Sequence, residues 1–167
     1  MAGVSVNVHA TCLKLAAAGR PFGVPADCGV LLIGGSASGK SDLALRLIAA
    51  GAELVADDRT DLFVRRGRLF ARAPKRLAGL LEIRGVGIVK LPHVNVTRIA
   101  LVARLGKSGP RLPRHRLWRP PAALGLVAKA APPIINLPPF EASAPAKLAA
   151  ATAAYALGLH YANVNPI

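Results

Sequence analysis

The chain has 167 residues and a formal net charge of +14 at pH 7; 53% of its residues are hydrophobic but only 4% are aromatic. This length suits one domain with a core built mainly of Ala, Val, Leu and Ile. No apolar run is long enough for a membrane span and no secretory signal pattern opens the chain, so a membrane or secreted protein is not expected. We expect a cytoplasmic protein in which Cys12 and Cys28 are buried free thiols.

The positive charge is concentrated in two stretches, residues 59–76 and residues 104–119. Such a surface attracts polyanions. Nucleic-acid binding also calls for stacking aromatics or a recognisable motif, and the sequence offers few aromatics and no such motif. Nucleic acid is therefore not the expected partner. An acidic protein or the phosphates of a nucleotide explain part of the charge, and polyanion binding through the arginine-rich loop stays as an alternative.

The predicted elements begin with a strand over residues 4–9, in which valines alternate with polar residues as in a strand exposed on one side. A Gly- and Pro-rich turn over residues 19–25 follows. Apolar residues 29–33 predict a buried strand. The apolar spacing from Ser41 onward predicts a helix that stops at Gly51.

Between this strand and this helix lies a glycine-rich sequence of the pattern G-x-x-x-x-G-K-[ST], a loop that wraps nucleotide phosphates. Its backbone amides and the positive end of the helix dipole surround phosphate oxygens. Lys40 reaches the β- and γ-phosphates, and Ser41 offers its hydroxyl to Mg²⁺. A glycine turn before an ordinary helix is the alternative, and the flanking elements count against it. The predicted nucleotide-binding residues are Gly34, Gly35, Ser36, Ala37, Ser38, Gly39, Lys40 and Ser41.

A short strand over residues 53–56 then ends at Asp57 and Asp58. The later predicted elements are a hairpin of residues 62–64 and 69–71 with Gly67 at its turn, a short helix over 74–81 with proline in its first turn, a glycine-punctuated segment 82–88, a buried strand 99–103, an exposed Arg- and Pro-rich loop 106–121, a strand 134–137 and a closing helix 144–159. No internal repeat or long linker interrupts this order. The sequence predicts an α/β fold with strands packed around the phosphate loop.

Charged residues outside the loop are candidates for chemistry. Asp57 and Asp58 end a strand, where acidic groups meet a bound phosphate, and repulsion between neighbouring carboxylates favours proton uptake by one of them. Exposed turn aspartates are the alternative. Glu82 could take Mg²⁺, and Arg84 could neutralise charge on a transferred phosphoryl group. His9, on a polar strand face, is by itself more typical of a solvated or structural histidine.

Several motifs occur in a fixed order along the chain. They are His9-Ala10-Thr11-Cys12, the phosphate loop followed by Ser41-Asp42-Leu43-Ala44-Leu45-Arg46-Leu47, Val55-Ala56-Asp57-Asp58, Leu81-Glu82-Ile83-Arg84-Gly85-Val86-Gly87-Ile88, and residues 139–147. Together they resemble the HPr kinase/phosphorylase family, in the short form that keeps only the catalytic domain. The Leu-Glu-Ile-Arg-Gly-x-Gly-Ile string is far more specific than the loop, which unrelated families share. The resemblance covers essentially the whole chain, so residues 1–167 are expected to form a single catalytic domain.

The resemblance implies an enzyme that uses ATP and Mg²⁺ to phosphorylate a serine of HPr, a small phosphocarrier protein of the phosphotransferase system. It also implies removal of that phosphate by inorganic phosphate, as a phosphorylase. The implied fold is a mixed sheet with a P-loop, like the nucleotide-binding part of phosphoenolpyruvate carboxykinase. Members of the family commonly assemble as hexamers, so a homo-oligomer is expected.

The resemblance also assigns roles to residues of this chain. It makes Asp58 the group that takes the serine proton and returns one in phosphorolysis, with Asp57 positioning metal or water. His9 lies in the active site near this pair. The implied Mg²⁺ ligands are Ser41 and Glu82. The implied catalytic residues are His9, Lys40, Asp57, Asp58, Arg84 and, at a loosely aligned position downstream, Arg111.

The sequence departs from the family over residues 104–133, which are more basic and proline-rich than expected and lack carboxylates common there. This puts the phosphorylase activity in question. A nucleotide-binding regulatory module with reduced or lost kinase activity is the alternative, although retention of the candidate site residues counts against decay. A small-molecule kinase or nucleotide hydrolase is a further alternative, against which the Leu-Glu-Ile-Arg-Gly string counts.

Overall fold

A computed structural model describes residues 3–159 of the chain. Its strands, within that range, are β1 Ser5–Lys14, β2 Cys28–Ile33, β3 Glu53–Ala56, β4 Arg59–Arg65, β5 Arg68–Arg72, β6 Leu80–Ile83, β7 Gly87–Lys90, β8 Thr97–Leu105 and β9 Ile134–Leu137. Its α-helices are α1 Ala16–Gly19, α2 Lys40–Ala49 and α3 Ala144–Ala156. The ends of the single domain predicted over residues 1–167 lie outside the described residues.

Seven of the strands form one mixed sheet, and β6 and β7 form a separate hairpin. Strand β1 pairs antiparallel with β2 along one edge and with β4 and β3 along the other. Strand β8 runs parallel to β2 and β9 and antiparallel to β5. Because β8 contacts both β2 and β5, the strands β2, β1, β4, β5 and β8 close into a ring. The predicted α/β class with a mixed sheet is confirmed.

Strand β2 lies at the centre of the packing because both of its faces are buried. Val30 and Leu32 face a core cluster that includes Leu43 and Leu47 of α2 and Leu148 of α3. Leu31, between them, faces a second cluster formed with apolar residues of β1, β4, β5 and β8. A strand covered on both sides reads as an unbroken apolar run, as this one does. Full burial of each such leucine contributes on the order of 1.5–3 kcal/mol. This packing fixes the carboxyl end of β2, from which the glycine-rich loop leaves.

Most of the predicted elements are confirmed at nearly the predicted bounds. The strands at residues 29–33, 53–56, 99–103 and 134–137 correspond to β2, β3, β8 and β9, and the predicted hairpin to β4 and β5. The closing helix ends at Ala156. The segment 106–121 contains no helix or strand and is largely exposed, as predicted.

The helix predicted over residues 74–81 is wrong. Only Lys75–Leu77 makes a single 3₁₀ turn, with Pro74 before it, and the chain then enters β6. Gly79 has a φ of 76°, in the left-handed region that ends helices. Its carbonyl accepts a hydrogen bond from the Leu91 amide at 2.8 Å, which joins the β6–β7 hairpin instead of continuing a helix. The predicted turn over residues 19–25 is also more ordered than expected, since it begins inside α1 and includes a 3₁₀ turn at Arg20–Phe22.

Cys12 and Cys28 are free and buried, as predicted. Burial raises the pKa of the Cys12 thiol far above its ordinary value, which leaves the thiol unreactive. Among residues 3–159, no helix has the length and apolar character needed to cross a membrane.

Candidate active site

The glycine loop, residues 34–41, joins the buried end of β2 to the first turn of α2. Gly39 caps this helix with a φ of 91°, a left-handed conformation that suits glycine. A Cβ at Gly39 would lie 2.9 Å from Cζ of Phe140, so that ring packs closely against the loop at this residue. Ser38 Oγ is buried without a hydrogen-bond partner among the described residues. An unpaired buried hydroxyl costs free energy, which a polar ligand in the loop would offset.

Lys40, the first residue of α2, folds its side chain back along the glycine loop. Its Nζ donates to the carbonyl oxygens of Gly34, at 3.0 Å, and Gly35, at 2.8 Å. Burial lowers the pKa of Lys40 below its ordinary value, and the negative charges of Asp58 and Asp57 oppose this shift. An ammonium held by carbonyls inside a loop at a helix N-terminus is well placed to meet an anion.

Asp57 is the buried centre of the polar network below the loop, with 6% of its surface exposed. Its carboxylate accepts hydrogen bonds from Ser41 Oγ, at 3.0 and 3.2 Å to the two oxygens, and from Thr11 Oγ1 at 2.8 Å. The backbone amide of Glu82 donates to its Oδ2 at 3.2 Å. Residues of β1, α2 and β6 therefore hold this carboxylate in one position. A buried carboxylate with several fixed donors keeps its orientation without further strain.

Asp58 follows Asp57 directly in the sequence, but its side chain is exposed where that of Asp57 is buried. Its side chain is 65% exposed, and its Oδ1 lies 3.0 Å from His9 Nε2. The pairing of His9 with Arg59 across β1 and β4 brings the imidazole to this position. Asp58 has a φ of 62°, which for a residue with a side chain costs on the order of 1 kcal/mol. Such strain is concentrated at functional sites, where the fold turns a side chain toward a ligand.

These residues surround a cleft of about 540 Å³. Its lining residues are His9, Ser36, Ala37, Ser38, Gly39, Lys40, Ser41, Asp42, Leu45, Asp58, Glu82, Ile83, Arg84 and Phe140. The structure thus brings the glycine loop, Asp58, His9, Glu82 and Arg84 to one cleft, with Asp57 directly beneath. Arg111 lies exposed in the segment 106–121 and is not among the lining residues, so its catalytic role stays a prediction.

The sequence model of the family "HPr Serine kinase C-terminal domain" matches residues 16–100, which is about half of the chain. The chain belongs to the HPr serine kinase C-terminal domain family. The matched region contains the glycine loop, both aspartates, Glu82 and Arg84, whereas His9 and Arg111 lie outside it.

Two relatives each match about half of this chain. The HPr kinase/phosphorylase of Clostridium tetani is 44% identical over 84 residues, covering 48% of this chain and 28% of the relative. That of Lactobacillus acidophilus is 40% identical over 97 residues, covering 53% of this chain and 30% of the relative. The matched region therefore spans less than a third of the length of these relatives.

The fold extends the similarity over nearly the whole chain. The structure of the Hpr(Ser) kinase/phosphatase from Coxiella burnetii superposes with a TM-score of 0.69 and covers 93% of this chain and 99% of that one. Only 23% of the residues are identical, so this likeness concerns the fold alone. It agrees with the mixed α/β sheet described above.

The oxygen atoms that line and underlie the cleft fit a magnesium ion. Ser41, Asp57 and Glu82 offer oxygen donors only, which hard cations prefer. Within residues 3–159 no group of three or more His, Cys, Asp or Glu side chains forms a metal cage. Mg²⁺ does not need such a cage, because it keeps waters and is usually bound through one or two carboxylates together with substrate phosphates.

The sequence did not identify several residues that complete the cleft. Thr11 holds Asp57 from β1, and Leu45, Ile83 and Phe140 give the cleft apolar lining. Thr11 is a buried polar residue in an otherwise apolar strand half, a pattern that could have marked it as a hydrogen-bonding partner. Phe140 could have been noticed as a large apolar residue in a segment otherwise typical of a turn.

Proposed function

We propose that this cleft transfers the γ-phosphoryl group of ATP to a serine of an HPr-type phosphocarrier protein, with Mg²⁺ as cofactor. The observation that carries the proposal is the network below the glycine loop, in which the Ser41 hydroxyl is bonded to the buried Asp57 carboxylate while Asp58 opens into the same cleft. Phosphoryl transfer needs positioning and charge neutralisation around the phosphates, and a separate acceptor for the hydroxyl proton. This cleft supplies both.

The glycine loop acts as a P-loop in this proposal. Its residues 34–41 surround the phosphates with backbone amides at the N-terminus of α2. Lys40 exchanges the carbonyls of Gly34 and Gly35 for phosphate oxygens and neutralises their charge. The surrounding sheet then serves as a nucleotide-binding fold of the phosphoenolpyruvate carboxykinase type.

Magnesium would be held by Ser41 and Glu82, with Asp57 orienting the Ser41 hydroxyl or joining it as a ligand. The ion would supply positive charge to the phosphate oxygens. The three hydrogen-bond donors to Asp57 keep its carboxylate in place when the cleft fills. Their fixed geometry reduces the reorganisation that each turnover requires.

Asp58 takes the proton of the acceptor serine as its oxygen attacks the γ-phosphorus and the bond to the β-phosphate oxygen breaks. In the reverse direction, inorganic phosphate attacks phosphoserine, pyrophosphate forms, and Asp58 returns a proton to the departing serine oxygen. His9 holds the Asp58 carboxylate through its Nε2. Arg84 lines the same cleft and adds positive charge near the transferred group.

The proposal includes the wider assignments that the family suggests. Residues 1–167 would form a single catalytic domain whose substrate is a phosphocarrier of the phosphotransferase system in the cytoplasm. Inorganic phosphate would be a second substrate, and the protein would assemble as a homo-oligomer, with a hexamer as the expected form.

A transfer assay tests the proposed function. The purified protein is incubated with Mg²⁺, ATP labelled at the γ-phosphate and a panel of HPr-like carriers, and the label is located by mass spectrometry. We expect a Mg²⁺-dependent phosphoserine on one carrier, absent with Lys40→Ala, and its loss on addition of inorganic phosphate. ATP binding with no labelled serine on any carrier would contradict the kinase and support the nucleotide-binding regulatory module.

A further inference from the structure

Phe140 is an exposed aromatic ring fixed at the wall of the cleft. It has 71% of its surface exposed, in a chain with only 4 phenylalanines. The ring lines the cleft and lies against Gly39, at the point where the glycine loop enters α2. Apolar and aromatic side chains that line a cleft are typical of ligand contacts. The ring is therefore placed for a ligand and is not part of either core cluster.

The turn that carries Phe140 is held to α2 by Arg46. The Arg46 guanidinium donates to the carbonyl oxygens on both sides of Phe140, those of Pro139 and of Glu141, the latter at 3.2 Å. Asp42 holds the same guanidinium through contacts of 3.0 Å. The ring is thus exposed but its backbone is anchored, so that little conformational entropy would be lost when a ligand stacks on it.

The position of the Phe140 ring indicates which part of a bound nucleotide it would contact. If the phosphates lie in the glycine loop, the base must lie elsewhere along the cleft lining, and a flat apolar surface favours a base. Among residues 3–159, two flat rings line the cleft, and one of them, His9, is bonded to Asp58. Leu45 of α2 adds a second apolar side chain to the same cleft. In the part of the chain that the structure describes, Phe140 is therefore the ring available for stacking.

We infer that Phe140 is the stacking platform for the base of the bound nucleotide, with Leu45 as its apolar neighbour. The inference rests on the proposed function and adds to it a residue that binds the base and makes no phosphate contact. Removal of an aromatic ring on which a base stacks weakens binding by roughly tenfold or more.

Binding of ATP and of inorganic tripolyphosphate, measured by titration calorimetry with Mg²⁺, separates the base from the phosphates. For Phe140→Ala we expect the dissociation constant for ATP to rise roughly tenfold, whereas that for tripolyphosphate stays within about twofold because no phosphate contact is lost. Phe140→Trp keeps a ring and should retain ATP affinity. Phe22→Ala is the matched control, because Phe22 is 42% exposed and does not line the cleft.

Three outcomes would overturn the inference. Equal weakening of both ligands would show that the ring supports the loop through Gly39. Unchanged ATP affinity with a raised KM for the carrier would assign Phe140 to protein docking. Unchanged values throughout would leave it without a role in binding. If the wild-type protein binds neither ATP nor tripolyphosphate, the proposed function itself fails and takes this inference with it.

Discussion

At the scale of single residues, the two adjacent aspartates differ because the backbone turns between them. Asp57 directly follows β3, and its carboxylate lies below the glycine loop, where donors from three elements hold it. Asp58 takes a left-handed φ of 62°, which sends its carboxylate out to His9 and the open cleft. One carboxylate is therefore suited to orient a metal or a hydroxyl, and the other to exchange a proton with a substrate.

The role of Asp57 is tested by its amide variant. Asp57→Asn keeps the shape but removes the negative charge beside Ser41, so the Mg²⁺ concentration for half-maximal transfer should rise on the order of tenfold or more. The measurement is a Mg²⁺ titration of the transfer rate at fixed ATP. Asp61→Asn is the control, since Asp61 accepts an exposed hydrogen bond from Asn7 between β1 and β4 and does not line the cleft. A Mg²⁺ titration identical to that of the wild type would remove Asp57 from the metal site, and the same titration of Glu82→Gln checks the second ligand.

At the scale of elements, the strand that presents the glycine loop depends on a close approach to β8. A Cβ at Gly29 would lie 2.3 Å from Thr97 Cγ2, 2.7 Å from Thr97 Oγ1 and 3.0 Å from the Arg98 carbonyl oxygen. The parallel pairing of β2 with β8 tolerates this contact only because Gly29 has no side chain. The absence of a side chain at Gly29 therefore allows β2 and β8 to pair at this close distance.

Gly29→Ala should lower the free energy of unfolding by about 1–3 kcal/mol, because the added methyl group overpacks the β2–β8 contact. Urea denaturation followed by circular dichroism measures this change. Gly109→Ala is the control, since its Cβ would meet the nearest atom at 3.6 Å, an ordinary contact. Adding Thr97→Ala to Gly29→Ala removes two of the close atoms and should recover part of the loss. Equal stability of Gly29→Ala and the wild type would mean that the strands separate without cost.

Elements with a strong local signal could be predicted from the sequence. The apolar run of β2, the glycine-rich loop and the amphipathic spacing of α2 each follow from backbone preference or from burial. The β4–β5 hairpin follows from Gly67, where the turn needs a left-handed φ of 71°. Glu82 and Arg84 were proposed for the site from their residue types and the family string, and the structure places both at the cleft.

Features that depend on contacts between distant segments could not be predicted. The β6 strand was missed because Pro74 and the apolar residues after it suit a helix, and only pairing with β7 decides for a strand. Thr11 and Asp57 are far apart in sequence, so their bond depends on the bulged pairing of β1 with β3. Phe140 contacts Gly39 from a turn that Arg46 of α2 holds, a contact between segments about a hundred residues apart.

At the scale of the whole molecule, an ion pair joins the two central parallel strands. Asp27 precedes β2 and binds Arg98 of β8, with 2.7 Å between Asp27 Oδ2 and Arg98 Nε and 3.3 Å between the second pair of atoms. The Arg98 guanidinium lowers the pKa of Asp27 below its ordinary value. The ion pair joins the beginnings of the two parallel strands that support the glycine loop.

This ion pair makes stability depend on pH in a defined window. Folding lowers the pKa of Asp27. The contribution of this carboxylate to the free energy of unfolding is therefore complete above its unfolded-state pKa of about 4, and it is lost as the pH falls through its folded-state pKa. Asp27→Asn should cost about 0.5–1 kcal/mol near pH 7, a small value because water screens the exposed carboxylate. The difference from the wild type should shrink below pH 4. Urea denaturation of both proteins across this pH range measures the difference in stability. Glu53→Gln is the control, because it removes the longer ion pair of Glu53 with Lys14, at 3.6 Å. A difference that stays constant down to pH 2 would contradict the assignment.

The central claim is that Asp58 accepts the proton of a carrier serine during transfer from ATP. The most direct test is the single-turnover rate of phosphoserine formation by Asp58→Asn at saturating ATP and Mg²⁺, with ATP affinity measured in parallel. We predict a rate at least about 10²-fold below that of the wild type, with ATP affinity unchanged because Lys40 and the glycine loop are intact. Transfer at the wild-type rate by Asp58→Asn would contradict the account.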